Sequence, residues 1–294
     1  MKRNNLAVFH ALLAVLIWST VAAAFKLALR RLDHLQLLLF ATITSLVFYF
    51  LVIVIRKKLP LLKAATPKEY LRSALMGFLN PFLYYVVLFR AYSLLPAQQA
   101  QALNYTWPVM LVLLSIPLLK QKIGGRSIIA ILVSFAGVVV VSTQGNLESF
   151  RQVNLEGVLL ALGSAVIWAL YWVFEQRDER DAVLRFFQYF SFGFIYILIA
   201  TLLFSRLILP DLPALGGAVY VGLFEMGVTF VVWALALRLA EQPAQVINLI
   251  YLMPFISLFF INLVAGERIT PATVVGLVVI VVGVGIQRYN PKAV

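Results

Sequence analysis

Apolar runs of about 20 residues recur along this chain from end to end, and each is long enough to cross roughly 30 Å of hydrocarbon. Hydrophobic residues make up 63% of the 294 positions and charged residues 12%, against about 25% charged in an ordinary soluble domain. With no water in the bilayer, each such run must satisfy its backbone internally, so helices are expected. Ten spans can be drawn, at about 7–27, 35–55, 71–94, 97–119, 126–143, 155–175, 185–205, 214–236, 244–264 and 271–288. The expected fold is therefore an all-α membrane protein. The N-terminal run has the basic start and small residues of a signal peptide, but it is long enough to span. It is read as span 1, retained.

The charges set the orientation. The net charge is +12, yet the basic residues sit in short loops rather than on a nucleic-acid-binding face. If the N-terminus is cytoplasmic, 17 of the 24 Lys and Arg fall on the inner side, a positive-inside bias. Arg30 and Arg31, in the first outer loop, fit it least well. Both termini are predicted to be cytoplasmic. There is no cysteine, which excludes disulfides, thiolate catalysis and Cys-ligated metal.

The second half repeats the first at a nearly constant shift. Gly77 aligns with Gly222, Ala91 with Ala236, Gln99 with Gln245, Tyr105 with Tyr251 and Pro108 with Pro254. Trp18 in "LIWS" aligns with Trp168 in "VIWA". Five spans per half is an odd number, so the second half must enter the membrane upside down. The expected organisation is two inverted five-helix repeats, 1–144 and 155–294, within one membrane domain. Transporters of this plan place substrate near the midplane between the halves.

The motifs "IWS" in span 1, "YTWPVM" in span 4, "YLMPFISLFF" in span 9 and "GERITPATVVGLVVIVVGVGI" at 266–286 resemble the drug/metabolite transporter superfamily. The likeness is specifically to its ten-span EamA-type exporters, and it covers essentially the whole chain. In the first half Gln121 stands where that family often has Glu. The resemblance implies a multi-pass protein of the bacterial inner membrane, often one that exports amino acids or related metabolites.

Polar residues inside a span normally face a partner helix or a wet cavity. Glu225, near the middle of span 8, is the deepest acid, readable as a proton or cation coupling site or as a carboxyl bonded to a neighbouring helix. Its repeat counterpart is Asn80, followed by Pro81 and, one turn on, Tyr84. Pro81 should kink span 3. On span 4, Gln98, Gln101, Tyr105 and Pro108 fall at i, i+3, i+7 and i+10, which predicts one continuous polar face. Gln245, Asn248 and Tyr251 match them on span 9. Trp18, Trp107, Trp168 and Trp172 lie too deep for an interfacial belt, and they read as an aromatic wall for substrate or as core packing. The candidate substrate-binding set is Trp18, Asn80, Tyr84, Gln101, Tyr105, Trp107, Trp168, Trp172, Gln245, Asn248 and Tyr251, with Glu225 the candidate coupling residue and Glu175 near the cytoplasmic mouth.

No catalytic set, metal cluster or cofactor motif is evident, and there is no GxxxxGK[ST] phosphate loop, so an enzyme is not expected. The leading expectation is a secondary transporter exporting amino acids or small metabolites by alternating access, with a proton as one coupling ion. The rival within that class is an importer of quaternary or other organic cations. From another class come a lipid scramblase and a non-transporting assembly partner. The expected partners are a small-molecule substrate and the lipid bilayer, not nucleic acid. Oligomeric state is left open, a monomer being compatible with the sequence.

Overall fold

In the computed structural model, residues 3–63, 65–119, 125–146, 153–175, 177–241, 246 and 248–288 are described, and no strand occurs among them. The chain begins with α1 (Arg3–Ala28) and α2 (His34–Ile55), then the short α3 (Leu59–Lys63). The third apolar run is α4 (Pro67–Gly77), a widened turn at Phe78–Leu83 and α5 (Tyr84–Leu94). Next come α6 (Ala97–Asn104), α7 (Trp107–Leu119), α8 (Gly125–Thr143), α9 (Leu155–Glu175) and α10 (Ala182–Phe204). The eighth run is α11 (Leu212–Tyr220), a widened turn at Val221–Glu225 and α12 (Val228–Leu239). A single 3₁₀ turn (Leu249–Leu252), α13 (Met253–Ala265) and α14 (Pro271–Arg288) complete the fold.

Helix starts follow local chemistry. Asp33 caps α2 through its carboxylate, which accepts from the Leu35 and Gln36 amides at 2.8 and 2.9 Å, and Gln36 returns the bond to the Asp33 amide. Thr66 and Glu69 form the same reciprocal box before α4. Such a box satisfies two of the amides a helix start leaves open. Asp181 and Asp211 cap α10 and α11.

Six described helical stretches are long and apolar enough to cross a membrane: Asn4–Ala28, His34–Ile55, Pro67–Leu94, Leu155–Glu175, Ala182–Phe204 and Leu212–Leu239. Three shorter apolar helices, Ile128–Thr143, Leu249–Ala265 and Pro271–Ile286, accompany them. The outward side chains remain apolar: Leu16, Phe50, Leu132, Phe135, Leu202 and Leu263 are all exposed. Water would penalise that surface and lipid would not.

Packing pairs α1 with α12 and α13, α5 with α9, α2 with α10, and α8 with α14. The closest approaches run over glycine. A Cβ on Gly77 would lie 2.3 Å from the Tyr189 carbonyl of α10, and one on Gly222 would lie 2.4 Å from the Ala41 carbonyl of α2. In lipid there is little hydrophobic gain in joining two apolar helices, so close van der Waals contact over small residues does the work. Arg30 and Arg31, the charges that fit the orientation count least, are both engaged: Arg30 donates to the Ala265 carbonyl at 2.7 Å and Arg31 pairs with Asp211.

Candidate functional site

Glu225 ends the widened turn of the eighth run, and Met226 and Gly227 separate it from α12. Gly227 has φ −108° and ψ −93°, outside the helical region. Irregular backbone at membrane depth survives only where its freed polar groups find other partners, and here side chains supply them. The Ser45 hydroxyl donates to the Gly222 carbonyl at 2.8 Å, Tyr49 to Met226 at 2.6 Å, and the Trp18 indole N–H to Glu225 at 3.4 Å. Thr229 donates to the Phe224 carbonyl.

The Glu225 side chain is buried. One carboxyl oxygen, Oε1, accepts from the Tyr85 hydroxyl at 3.0 Å, while Oε2 has no hydrogen-bond partner. Asn80, its expected counterpart, sits at the other interruption with φ −148° and ψ 119° and a cis bond to Pro81. It is fully buried, and neither amide atom makes a well-formed hydrogen bond, although the Tyr171 hydroxyl lies close by. The predicted kink at Pro81 is thus present as a non-helical residue immediately before the proline.

Aromatic rings link these two breaks. Tyr84 and Tyr85 meet at 4.7 Å between centroids, and Tyr84 stacks on Trp168 at 4.6 Å. Beyond Trp168 opens a cavity of about 130 Å³ between α1, α9, α10 and α12, walled by Trp18, Trp168, Trp172, Phe230 and Trp233. Glu175 and Arg185 also line it and pair with each other at 2.5 Å. Trp107 stands behind Trp172, its ring stacked at 6.4 Å.

Outside the spans, the segment joining α9 to α10 is anchored by charge. Arg180 holds Asp178 at 2.9 and 2.5 Å, Tyr189 donates to the same carboxylate at 2.6 Å, and Arg72 of α4 approaches to 3.4 Å. Burial pushes the Asp178 carboxyl upward, but the hydrogen bonds from Arg180 and Tyr189 outweigh it and hold it well below the usual carboxylate range.

The fourth and ninth runs differ from expectation. The face Gln98–Gln101–Tyr105–Pro108 is not continuous, because α6 ends at Asn104 and Tyr105–Thr106 form a turn before α7. Pro108 has no N–H for the Asn104 carbonyl and its ring crowds that group, so the helix cannot run through. Pro254 acts likewise in the ninth run, and the Ile250 carbonyl it leaves open accepts from the Tyr105 hydroxyl instead. The Tyr105 and Tyr251 rings meet edge to face at 6.2 Å. Gln98 is structural: it donates to the Arg268 carbonyl at 2.8 Å and accepts from the Thr270 amide at 3.0 Å. Gln101 is buried with its carbonyl oxygen unpartnered. Asn248 is exposed, and Gln245 and Gln121 lie outside the described residues.

The structure therefore gathers Trp18, Trp168, Trp172 and Glu175 around one cavity and joins Tyr84, Asn80 and Glu225 to it, while Gln101, Tyr105 and Tyr251 sit at the facing breaks of the fourth and ninth runs. Sequence reasoning missed Trp233, Phe230, Tyr171, Tyr85 and Tyr49, and used Arg185 only to orient the chain. Trp233 had a signal, since it lies two helical turns from Glu225 and one from Thr229. Tyr49 had none within its own segment, because its partner, the Met226 carbonyl, lies 177 residues away.

An all-helical chain with an apolar exterior and a small aromatic cavity beside interrupted helices defines a multi-pass membrane protein. The chain belongs to the EamA-like transporter family, whose pattern matches residues 5–143 and again 155–287. It is 28% identical over 265 residues to the uncharacterized transporter YvbV of Bacillus subtilis, covering 87% of this chain and 84% of that one. An uncharacterized transporter of Archaeoglobus fulgidus is 25% identical over 94% of this chain and 95% of its own length. The uncharacterized inner membrane transporter YhbE of Escherichia coli K12 is 22% identical over 90% of this chain and 83% of its own. A protein of known crystal structure has the same fold, with a TM-score of 0.68 at 21% identity, across 98% of this chain and 99% of that one. Membrane transport is thus the general role of this protein.

Proposed function

We propose that the protein is a secondary active transporter that exports amino acids or related small metabolites by alternating access, with Glu225 as its proton-coupling carboxylate. The observation that carries this reading is the pairing of Glu225 with the aromatic cavity. Glu225 has one unsatisfied oxygen on an interrupted helix, and Trp18 touches both its carbonyl and the cavity. Transporters of inverted-repeat design bind substrate and coupling ion at such interrupted helices. The reading takes the chain as ten spans in two inverted repeats, 1–144 and 155–294, with both termini cytoplasmic. The family's double match and the paired interruptions at Asn80 and Glu225–Gly227 support that plan. The membrane is the inner one, in keeping with the name of the Escherichia coli relative.

Import of organic cations is a second reading, favoured by the four tryptophans Trp18, Trp168, Trp172 and Trp233 around one cavity, since indole rings attract cations. The test reconstitutes wild type and Glu225→Gln in liposomes and follows internal pH while amino acids, amines and quaternary cations are added. Saturable, substrate-dependent proton movement in wild type, lost in a Glu225→Gln protein that still binds substrate, is expected. Coupled flux surviving in that variant would move the proton to another residue, and a panel without any response would remove both readings.

A further inference from the structure

Four unused hydrogen-bonding groups belong to described residues of the cavity wall: three are N–H donors, and the fourth is the Tyr171 hydroxyl, which has the Asn80 amide close by. Trp172 and Trp233 both line the cavity, and the indole N–H of each is buried without a hydrogen-bond partner. Arg185 also lines it. One guanidinium nitrogen of Arg185 pairs with Glu175 at 2.5 Å and another donates to the Asp178 carbonyl, yet its Nε–H is buried and unpartnered. One oxygen of the Glu175 carboxylate, an acceptor on this wall, is already committed to Arg185. Three guanidinium groups, Arg72, Arg180 and Arg185, answer two carboxylates, Glu175 and Asp178, in the network at this end. A buried N–H with no acceptor is costly, and three of them on the wall of one small space favour a ligand that brings an acceptor.

We propose that this end of the cavity is a carboxylate subsite: Arg185 Nε and the indole N–H groups of Trp172 and Trp233 hydrogen-bond a substrate carboxylate, whose apolar part lies against Trp18, Trp168 and Phe230. The proposal rests on the transporter reading above and narrows it to anionic or zwitterionic carboxylates, against bare organic cations. An ionised acceptor suits the donor set because charge-assisted hydrogen bonds are shorter and roughly twice as strong as neutral ones. A quaternary ammonium would leave all three donors unpaired and face the Arg185 charge.

The test is calorimetric titration of the full-length protein in nanodiscs with four matched probes: leucine, 4-methylpentanoate (no amine), 3-methylbutylamine (no carboxylate) and tetramethylammonium. Wild type is expected to bind the two carboxylates and to prefer them to both cations. Arg185→Gln should weaken carboxylate binding about tenfold or more and leave amine binding within about twofold. Trp172→Phe and Trp233→Phe keep an aromatic ring and remove only the N–H, so they report even if Arg185→Gln fails to fold. Each should weaken carboxylate binding about threefold to tenfold. Amine or tetramethylammonium binding as tight as that of the carboxylates, an unchanged preference in all three variants, or no carboxylate binding to folded wild type would each overturn the subsite. Liposome flux of the same four probes separates the two failures. Saturable amine flux without carboxylate binding removes the subsite and keeps the transporter, while no flux of any probe removes both.

Discussion

The interrupted eighth run is held open by hydroxyl groups, and Tyr49→Phe measures how much that holding contributes. Tyr49 is fully buried, with its ring among Phe48, Phe186 and Phe190 at 5.4–6.0 Å. The substitution keeps that packing and deletes one oxygen, the one that donates to the Met226 carbonyl at 2.6 Å. A buried carbonyl stripped of its donor costs about 1–3 kcal/mol, whereas hydrogen bonds between helices in bilayers average about 0.6 kcal/mol and reach about 1.7. The Met226 carbonyl belongs to non-helical backbone, where few alternative donors exist, so about 1–2 kcal/mol is expected. Reversible unfolding by SDS in mixed micelles gives the difference directly. Ser45→Ala removes a second tie to the same segment, the 2.8 Å bond to Gly222. Because both act on one segment, the double variant should deviate from additivity by more than the 0.3–0.5 kcal/mol usual for independent sites. A Tyr49→Phe protein within about 0.3 kcal/mol of wild type would refute the argument that side chains sustain the break.

Gly276→Ala should loosen the α8–α14 pair, since its Cβ would lie 2.5 Å from Val141 Cγ2 and 2.9 Å from the Gly137 carbonyl. A loss of about 1–3 kcal/mol in thermal unfolding is expected, while Gly285→Ala, with nothing within 4 Å of its Cβ, should match wild type. Asp178→Asn should cost about 1–3 kcal/mol near pH 7, because it removes the charge of a buried carboxylate that the half-buried Arg180 holds. The Asp178 carboxyl is held below its ordinary value in the folded protein, so its stabilisation is present above the unfolded value of about 3.9 and is lost as pH falls below it. The gap between wild type and Asp178→Asn, followed by unfolding at several pH values, should therefore begin to narrow below about pH 4 and vanish only once pH has fallen through the lower folded-state value.

The apolar runs could be read from the chain because hydropathy over 20 residues is a local property. Pro81 and Pro108 announced breaks, but the consequence of Pro108 was misjudged. The spacing of Gln98, Gln101, Tyr105 and Pro108 suits an unbroken helix, and the proline within the pattern prevents one. The aromatic cluster was half visible. Trp168 and Trp172 declare themselves as neighbours one turn apart, whereas Trp233 joins them only because α12 packs on α1, a tertiary contact that periodicity does not encode. Arg185 looked like an orienting charge because sequence places it at the start of α10 and says nothing of what lies behind it.

The polar residues of a lipid-soluble chain divide by whether the fold already uses them. Gln98 ties α6 to the segment before α14, Gln99 donates to the Val141 carbonyl at 3.4 Å, Thr106 turns back to Leu103 at 2.8 Å, and Asn104 donates to Ser164 at 2.8 Å. These side chains answer the cost of breaking helices inside a membrane, and removing them should damage stability before it alters specificity. A second group keeps capacity that the fold does not consume, and it includes Glu225 Oε2, the Gln101 carbonyl, the Asn80 amide, the Tyr171 hydroxyl and the N–H groups of Trp172, Trp233 and Arg185. Each such group is a standing cost in the empty protein. That cost is recovered only when something enters to meet it. On the proposed reading, the unused donors at the cavity would meet the substrate and the unused acceptor on the broken helix would take the proton, with Trp18 reaching both places.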